Sequence, residues 1–258
     1  MEAKTVDGIH FIAGRWPLSS QLPTLLFIHG SGGACTLWKD QVQALSFLIN
    51  TIAIDLPGHG ASEGPGRKSV KAYAEAVFHF IEAMDIQRPV PCGLSLGGAI
   101  VQRLLLDYSG PFLAGILIST GARLKVLPAL FDAIESDYEG FIGLFAEMGF
   151  SVQTDASMRH DALAAIAHCD PGVTAGDFTA CNRFDVMERV KEIDLPVLVV
   201  SATEDRLTPP KYSDYLFKQI PRSVRVRVKG SGHMVPVEKP AAVTAAIVDF
   251  LDRIPSTF

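Results

Sequence analysis

Four short segments carry the residue types that nucleophilic catalysis needs. Gly93-Leu94-Ser95-Leu96-Gly97 ends a strand-like run and opens a helix-like one, with Gly98 next. Glycines two residues either side of a serine let strand and helix cross closely. They set the hydroxyl on a sharp turn beside the free N–H groups and partial positive charge of a helix N-terminus. His29-Gly30-Ser31-Gly32-Gly33 directly follows another apolar run. Its backbone amides, with the amide of Leu96, suit a developing oxyanion. Asp205, in Thr203-Glu-Asp-Arg, is a carboxylate that could orient a histidine, with Glu204 as its neighbouring rival and Asp194 as a weaker one. His233, in Gly230-Ser-Gly-His, could then serve as general base. A single acid or histidine is ordinarily solvated. The weight lies in the set: Ser95, Asp205 and His233 each fall at the carboxyl end of a separate expected strand.

Those strands are legible in the spacing. Thr24–Ile28, Thr51–Ile54, Pro89–Leu94, Leu113–Ser119 and Pro196–Ser201 read as short buried strands. Val224, Val226 and Val228 alternate with Arg225, Arg227 and Lys229, the period-two pattern of a half-exposed strand. Apolar residues at 70, 74, 77, 78, 81 and 84 predict a helix with Ser69 as its cap. Leu96–Tyr108 is apolar nearly all round and predicts a buried helix. Lys211–Ile220 and Pro240–Ile254 complete the alternation. Residues 122–190 break it: no strand pattern, many Ala, Phe and Met, and interruptions at Gly140, Gly143, Gly149 and Pro171-Gly172. Repeated strand–helix units imply a mostly parallel sheet with helices on both faces, and ligands bind outside the carboxyl ends of such strands.

The chain has 258 residues, 48% of them hydrophobic and 20% charged, with a net charge of −5. This composition excludes a disordered chain and offers no basic excess for nucleic acid. No apolar run approaches the roughly 20 residues of a membrane span. Met1-Glu-Ala-Lys-Thr lacks the basic head and apolar run of a secretory signal. Cys35, Cys92, Cys169 and Cys181 lie far apart with no CxxC pair. The expectation is therefore no metal site and a reduced, cytoplasmic protein.

The chain resembles the α/β-hydrolase superfamily from about Leu25 to Leu251. Besides the serine turn, the resemblance rests on His29-Gly30, on Asp55-Leu-Pro-Gly-His-Gly-Ala-Ser62 and on Thr203-Glu-Asp205-Arg-Leu-Thr-Pro. It rests also on Gly232-His233-Met-Val-Pro-Val-Glu238-Lys-Pro240, and on the chain order Ser, Asp, His. The resemblance implies an α/β fold: an eight-stranded, mostly parallel sheet with an antiparallel second strand and a cap between strands six and seven. Residues 1–121 and 191–258 would form the core and 122–190 a helical cap. It implies Ser95 as nucleophile, His233 as base and Asp205 as acid, with the amides of Leu96 and Ser31 as the oxyanion hole. Neither metal nor organic cofactor is implied.

Serine at this position argues against dehalogenases and epoxide hydrolases of the fold, which use Asp. Hydrolases that cleave carbon–carbon bonds of ring-fission products share the glycine-rich loop but typically follow the catalytic histidine with Trp, where this chain has Met234. Lyases of menaquinone synthesis need basic residues, for which Arg123, Lys125, Arg159 and Arg183 are candidates. A ligand receptor on the same scaffold is the contrasting class. The aromatic density of 122–190 (Phe131, Phe141, Phe145, Phe150, Phe178, Phe184) favours an apolar substrate. Gly30, Phe141, Phe145 and Met234 are the expected substrate-binding positions, and a small-molecule carboxylic ester is the expected partner. No oligomeric state follows.

Overall fold

The computed structural model describes residues 1–108, 110 and 112–254. The chain begins with a hairpin, β1 (Glu2–Val6) and β2 (Ile9–Ala13), followed by β3 (Thr24–Ile28), α1 (Lys39–Leu45), β4 (Asn50–Ile54) and α2 (Val70–Ala83). Next come β5 (Pro89–Leu94), α3 (Leu96–Asp107) and β6 (Gly115–Ile118). Four helices then intervene: α4 (Pro128–Ser136), α5 (Tyr138–Gly149), α6 (Ala156–His168) and α7 (Pro171–Arg183). The alternation resumes with β7 (Val197–Ala202), α8 (Pro210–Gln219), β8 (Ser223–Val228), α9 (Val235–Glu238) and α10 (Pro240–Leu251). The two N-terminal strands have no counterpart in the strand runs read directly from the spacing. β1, at the edge, is mostly exposed, and β2 alternates buried and half-buried residues over only five positions.

All eight strands join one sheet in the order β1-β2-β4-β3-β5-β6-β7-β8. β2 runs antiparallel to both β1 and β4, and the remaining pairs are parallel. The chain moves from β3 outward to β4, then crosses back over β3 to β5. That reversal opens a crevice beyond the carboxyl ends of β3 and β5. Register brings the loops level there: Ile28 pairs with Gly93, Leu94 with Ile118, and Ile118 with Val200.

Both faces of the sheet are covered. Along β3, Leu26 and Ile28 face the core beneath α2 and α3, while Leu25 and Phe27 face the opposite core with α1 and α10. This is the strand's twofold alternation with each face apolar, as a central parallel strand requires. Burying each such side chain contributes about 1.5–3 kcal/mol. Ser69 caps α2 as its position predicts, its hydroxyl accepting the Ala72 N–H at 3.2 Å. Trp38 is fully buried and stacks on Phe27 at 4.8 Å between ring centroids. No helix among the described residues is long and apolar enough to cross a membrane.

Candidate active site

Ser95 sits between β5 and α3 with φ 55° and ψ −113°, a left-handed conformation that a serine adopts only under constraint. Three bonds over-determine it. Its N–H donates to Ile118 O at 3.0 Å, and its carbonyl accepts from Ala99 N–H at 3.1 Å and from the Thr120 hydroxyl at 2.8 Å. The flanking glycines are required by contact. A Cβ on Gly93 would lie 2.1 Å from the Gly97 carbonyl carbon, and one on Gly97 would lie 2.3 Å from Ile28 O. The same close approach presses the end of β3 against the serine: a Cβ on Gly30 would be 3.4 Å from Ser95 Cβ. Leu96 is the first residue of α3, so its N–H has no partner inside the helix.

The segment after β3 closes a tight turn, Gly33 N–H donating to Gly30 O at 3.1 Å, with Gly32 at φ +65°. A positive φ at the third position is the type II geometry that glycine permits. His29, fully buried, donates from Nδ1 to Gly30 O at 2.7 Å and accepts the Leu56 N–H on Nε2 at 3.0 Å. One ring nitrogen must therefore stay unprotonated. Burial and the neighbouring His59 charge push this imidazole down to about 4.

His233 lies in the loop after β8, and Asp205 in the loop after β7. Both are buried, and His233 Nδ1 is 3.1 Å and 3.0 Å from the two Asp205 oxygens. Asp205 also accepts from the N–H groups of Leu207 at 2.9 Å and Thr208 at 2.8 Å, and from the Thr208 hydroxyl at 2.8 Å. Burial alone would raise its pKa. The His233 charge and these donors outweigh burial and hold it below the usual carboxylate range. Glu204, the rival acid, turns away and accepts the Ser151 hydroxyl at 2.6 Å.

A cavity of about 460 Å³ opens over these groups, lined by Gly30, Ser31, Ser95, His233 and Met234 from the sheet's loops. Leu124, Leu130, Phe145, Ile166 and Phe178 form its apolar wall from the intervening segment, with Lys39, Lys125 and His160 also on the lining. Of the expected substrate-binding residues, Gly30, Phe145 and Met234 lie on this lining. Phe141 does not: it is fully buried behind it, stacked on Tyr138 at 5.5 Å and edge-on to Phe178 at 5.6 Å. Helical spacing puts an aromatic on a face but does not say which neighbour covers it. Cys35 lies off the lining too, its N–H bonded to Asp55 at 2.6 Å.

His10, Cys35 and Asp55 bring three potential metal ligands within 4.8 Å of one another. Asp55 is already taken up by the N–H groups of Cys35 and Ala61 and by His10 Nδ1. Burial also pushes the Cys35 thiol upward, so it stays protonated at neutral pH. The trio therefore reads as an internal hydrogen-bond cluster.

Four further polar residues touch the site's loops and carry no individual signal in the sequence. Thr208 bonds Asp205 from the Asp205-Arg-Leu-Thr motif. Glu238 accepts the Gly232 N–H at 2.9 Å on one oxygen and 3.1 Å on the other. His59 and Asp177 pair at 2.8 Å with both side chains fully buried. His59 and Glu238 stand inside segments that carried the resemblance, whereas Asp177 sits on α7, outside all of them.

The sequence profile of the alpha/beta hydrolase family matches residues 25–247. The chain is 28% identical over 255 residues to a pimeloyl-[acyl-carrier protein] methyl ester esterase of Neisseria meningitidis, covering 93% of this chain and 98% of that one. It is 28% identical over 245 residues to the polyketide synthase ThaQ of Burkholderia thailandensis, where it spans 90% of its own length but 12% of the synthase. Among solved structures, a thermophilic esterase superimposes with a TM-score of 0.83 at 32% identity, covering 98% of this chain and 97% of that one.

Proposed function

The chain belongs to the alpha/beta hydrolase family, and on that premise we propose that it is a serine carboxylesterase acting on esters of small to medium apolar acids. The observation that carries this reading is the joint placement of a strained Ser95 and an Asp205-bonded His233 on one largely apolar cavity of about 460 Å³.

In this reading residues 122–190 act as a helical cap and supply the acyl-binding wall. Asp205 holds Nδ1 of His233, which fixes the tautomer and leaves Nε2 to take the Ser95 proton. The Ser95 alkoxide forms as it attacks the ester carbonyl. The tetrahedral oxyanion is received by the amides of Leu96 and Ser31, each worth about 3–4 kcal/mol of barrier. His233 returns the proton to the leaving alcohol, and the acyl-enzyme forms. Water, activated by the same imidazole, attacks the acyl carbon and releases the acid. Every proton transfer uses a group of this chain, so the reading calls on no cofactor. The four free, buried cysteines suit a reducing cytoplasm. Met234 on the lining is smaller and more adaptable than an aromatic ring, which suits acyl chains over planar ring-fission products.

The test is hydrolysis of p-nitrophenyl esters, acetate through dodecanoate, by the wild type and Ser95→Ala. The expected result is a short- to medium-chain optimum that Ser95→Ala lowers by about a thousandfold or more. Turnover that survives in folded Ser95→Ala overturns the nucleophile assignment. No turnover of any ester by the wild type overturns the esterase reading in favour of carbon–carbon cleavage, lyase chemistry or ligand reception.

A further inference from the structure

The Ser31–Gly32 peptide sits at the centre of the turn after β3, and its orientation is held by a residue remote from the sheet. Asp177, on α7, is fully buried. Its Oδ2 accepts the Gly32 N–H at 2.9 Å and faces His59 Nε2 at 2.8 Å. Its Oδ1 accepts the Tyr73 hydroxyl at 2.5 Å. His59 donates from its other nitrogen to Pro57 O at 3.1 Å, so both ring nitrogens face acceptors and both carry protons, which makes the ring a cation. Burial opposes that charge, yet Asp177 and the Cys169 sulfur hold it up to about 10. An ion pair is thus sealed inside the protein, and one backbone N–H of the turn is bonded to it.

The turn's first peptide is fixed from the other end. Gly30 O accepts from Gly33 N–H at 3.1 Å and His29 Nδ1 at 2.7 Å. In a trans peptide the N–H points opposite to the C=O, so these bonds also aim the Ser31 N–H. The Gly33 bond is compatible with either orientation of the second peptide, and Gly32 at φ +65° takes the type II one. Glycine gives that orientation little intrinsic preference. What selects it is the acceptor on Gly32 N–H. The same tether fixes where the turn that carries the Ser31 N–H stands.

We propose that Asp177 is a positioning residue for the reaction: from the inserted segment it locks the Ser31–Gly32 peptide and so pre-aims the oxyanion-binding amide of Ser31. The inference rests on the serine-esterase reading. Its consequence is specific to the transition state. Ground-state esters meet the apolar wall, whereas the aimed amide matters once charge develops on the carbonyl oxygen.

The experiment measures kcat and KM on the best p-nitrophenyl ester, with inhibition by an alkylboronic acid of matched chain, which forms a tetrahedral adduct on serine. Asp177→Ala should lower kcat about ten- to a hundredfold, short of the loss of a whole oxyanion donor. KM should stay within about threefold, and boronate affinity should fall with kcat. Asp177→Asn, which keeps an oxygen for Gly32, should recover most of the loss. Should Asp177→Ala not fold, the double variant His59→Phe/Asp177→Leu removes the acceptor without leaving a buried charge, an exchange that folded proteins tolerate well. Its expected kcat and KM are those of the alanine variant. Tyr73→Phe takes a partner from Asp177 while leaving Gly32 bonded, and should keep wild-type kcat. Wild-type kcat in a folded variant lacking the acceptor overturns the proposal. So does a Tyr73→Phe loss as large as that of Asp177→Ala. Turnover persisting in Ser95→Ala is a separate result, which removes the underlying reading instead.

Discussion

The turn after β3 and the loop after β8 stand at the same edge of the sheet, and they are held in opposite ways. The turn is held from outside: its central N–H reaches Asp177 on α7, within the segment between β6 and β7. The loop is held from within: Glu238, on α9, accepts the Gly232 N–H six residues earlier. Glu238 then holds the inserted segment in turn, accepting Ser151 N–H at 2.9 Å and the Thr154 hydroxyl at 2.5 Å. Two buried carboxylates therefore join the same pair of regions in reciprocal directions. The loop bearing His233 has a carboxylate acceptor of its own, and the turn bearing Ser31 borrows one. A segment that supplies the apolar wall is thereby also tied to the loops that carry Ser31 and His233.

The largest expected effect tests whether the loop side is as self-contained as this contrast implies. Asp205→Asn should lower kcat by about 10⁴, because the amide favours the wrong histidine tautomer. Glu204→Gln, which disturbs only the bond to Ser151, should leave kcat within a fewfold. Steady-state kinetics of the two variants side by side decide the acid, and a reversed pattern would move the assignment to Glu204.

Glu238→Ala removes the acceptor of two buried N–H groups and a hydroxyl. Unmet buried donors cost about 1–3 kcal/mol each, so denaturant unfolding should show a loss of several kcal/mol. If loop and segment are joined as described, protection of the Ser151 and Gly232 amides against hydrogen exchange should fall together. Loss at only one of them breaks the reciprocity.

The smallest expected effect separates two touching histidines, His29 and His59, whose ring centroids lie 4.9 Å apart. His29 is pushed down to about 4, so as pH falls from the ordinary 6.5 the unfolded chain takes a proton that the folded chain refuses. Stability contributed by this group is present above 6.5 and lost towards 4. His59 is held up to about 10, so the folded chain keeps a proton that the unfolded chain releases. Its contribution is present below 6.5 and lost as pH rises through 10. Tm should therefore decline on both sides of a maximum near pH 6.5. The His59→Phe/Asp177→Leu variant should flatten the alkaline limb, while the acid limb persists through the burial of His29. An unchanged alkaline slope in that variant would argue against the buried ion pair as its source.

The sheet was largely readable because its signal is local. Thr24–Ile28 and Pro89–Leu94 are short apolar runs with a glycine within two residues of their ends, and a strand buried on both faces leaves no other pattern. Ser69, Ser95, Asp205 and His233 were legible for a related reason. A cap, an elbow and a strand-end loop each demand particular residues within a few positions of the element they serve. The intervening helices were readable as helices but not as a surface. Phe141 and Phe145 lie four apart on α5, yet Phe145 lines the cavity and Phe141 packs behind it. Of the two N-terminal strands, β1 is a mostly exposed edge strand that needs no apolar run, and β2 buries only alternate residues over five positions.

By itself the sequence determined the alternation of strands and helices, the sharp turn at Ser95 and the order of the three polar side chains, since each follows from sterics and burial over a few neighbouring residues. Tertiary structure alone decided that Glu204 faces Ser151 rather than His233, that Phe141 is core rather than wall, and that Asp177 meets Gly32 and His59 in the interior. A charged residue on a helix is ordinarily solvated. Only the partners that close over it from β3, β4 and α2, far away in the chain, make burial of that charge favourable and give it a task.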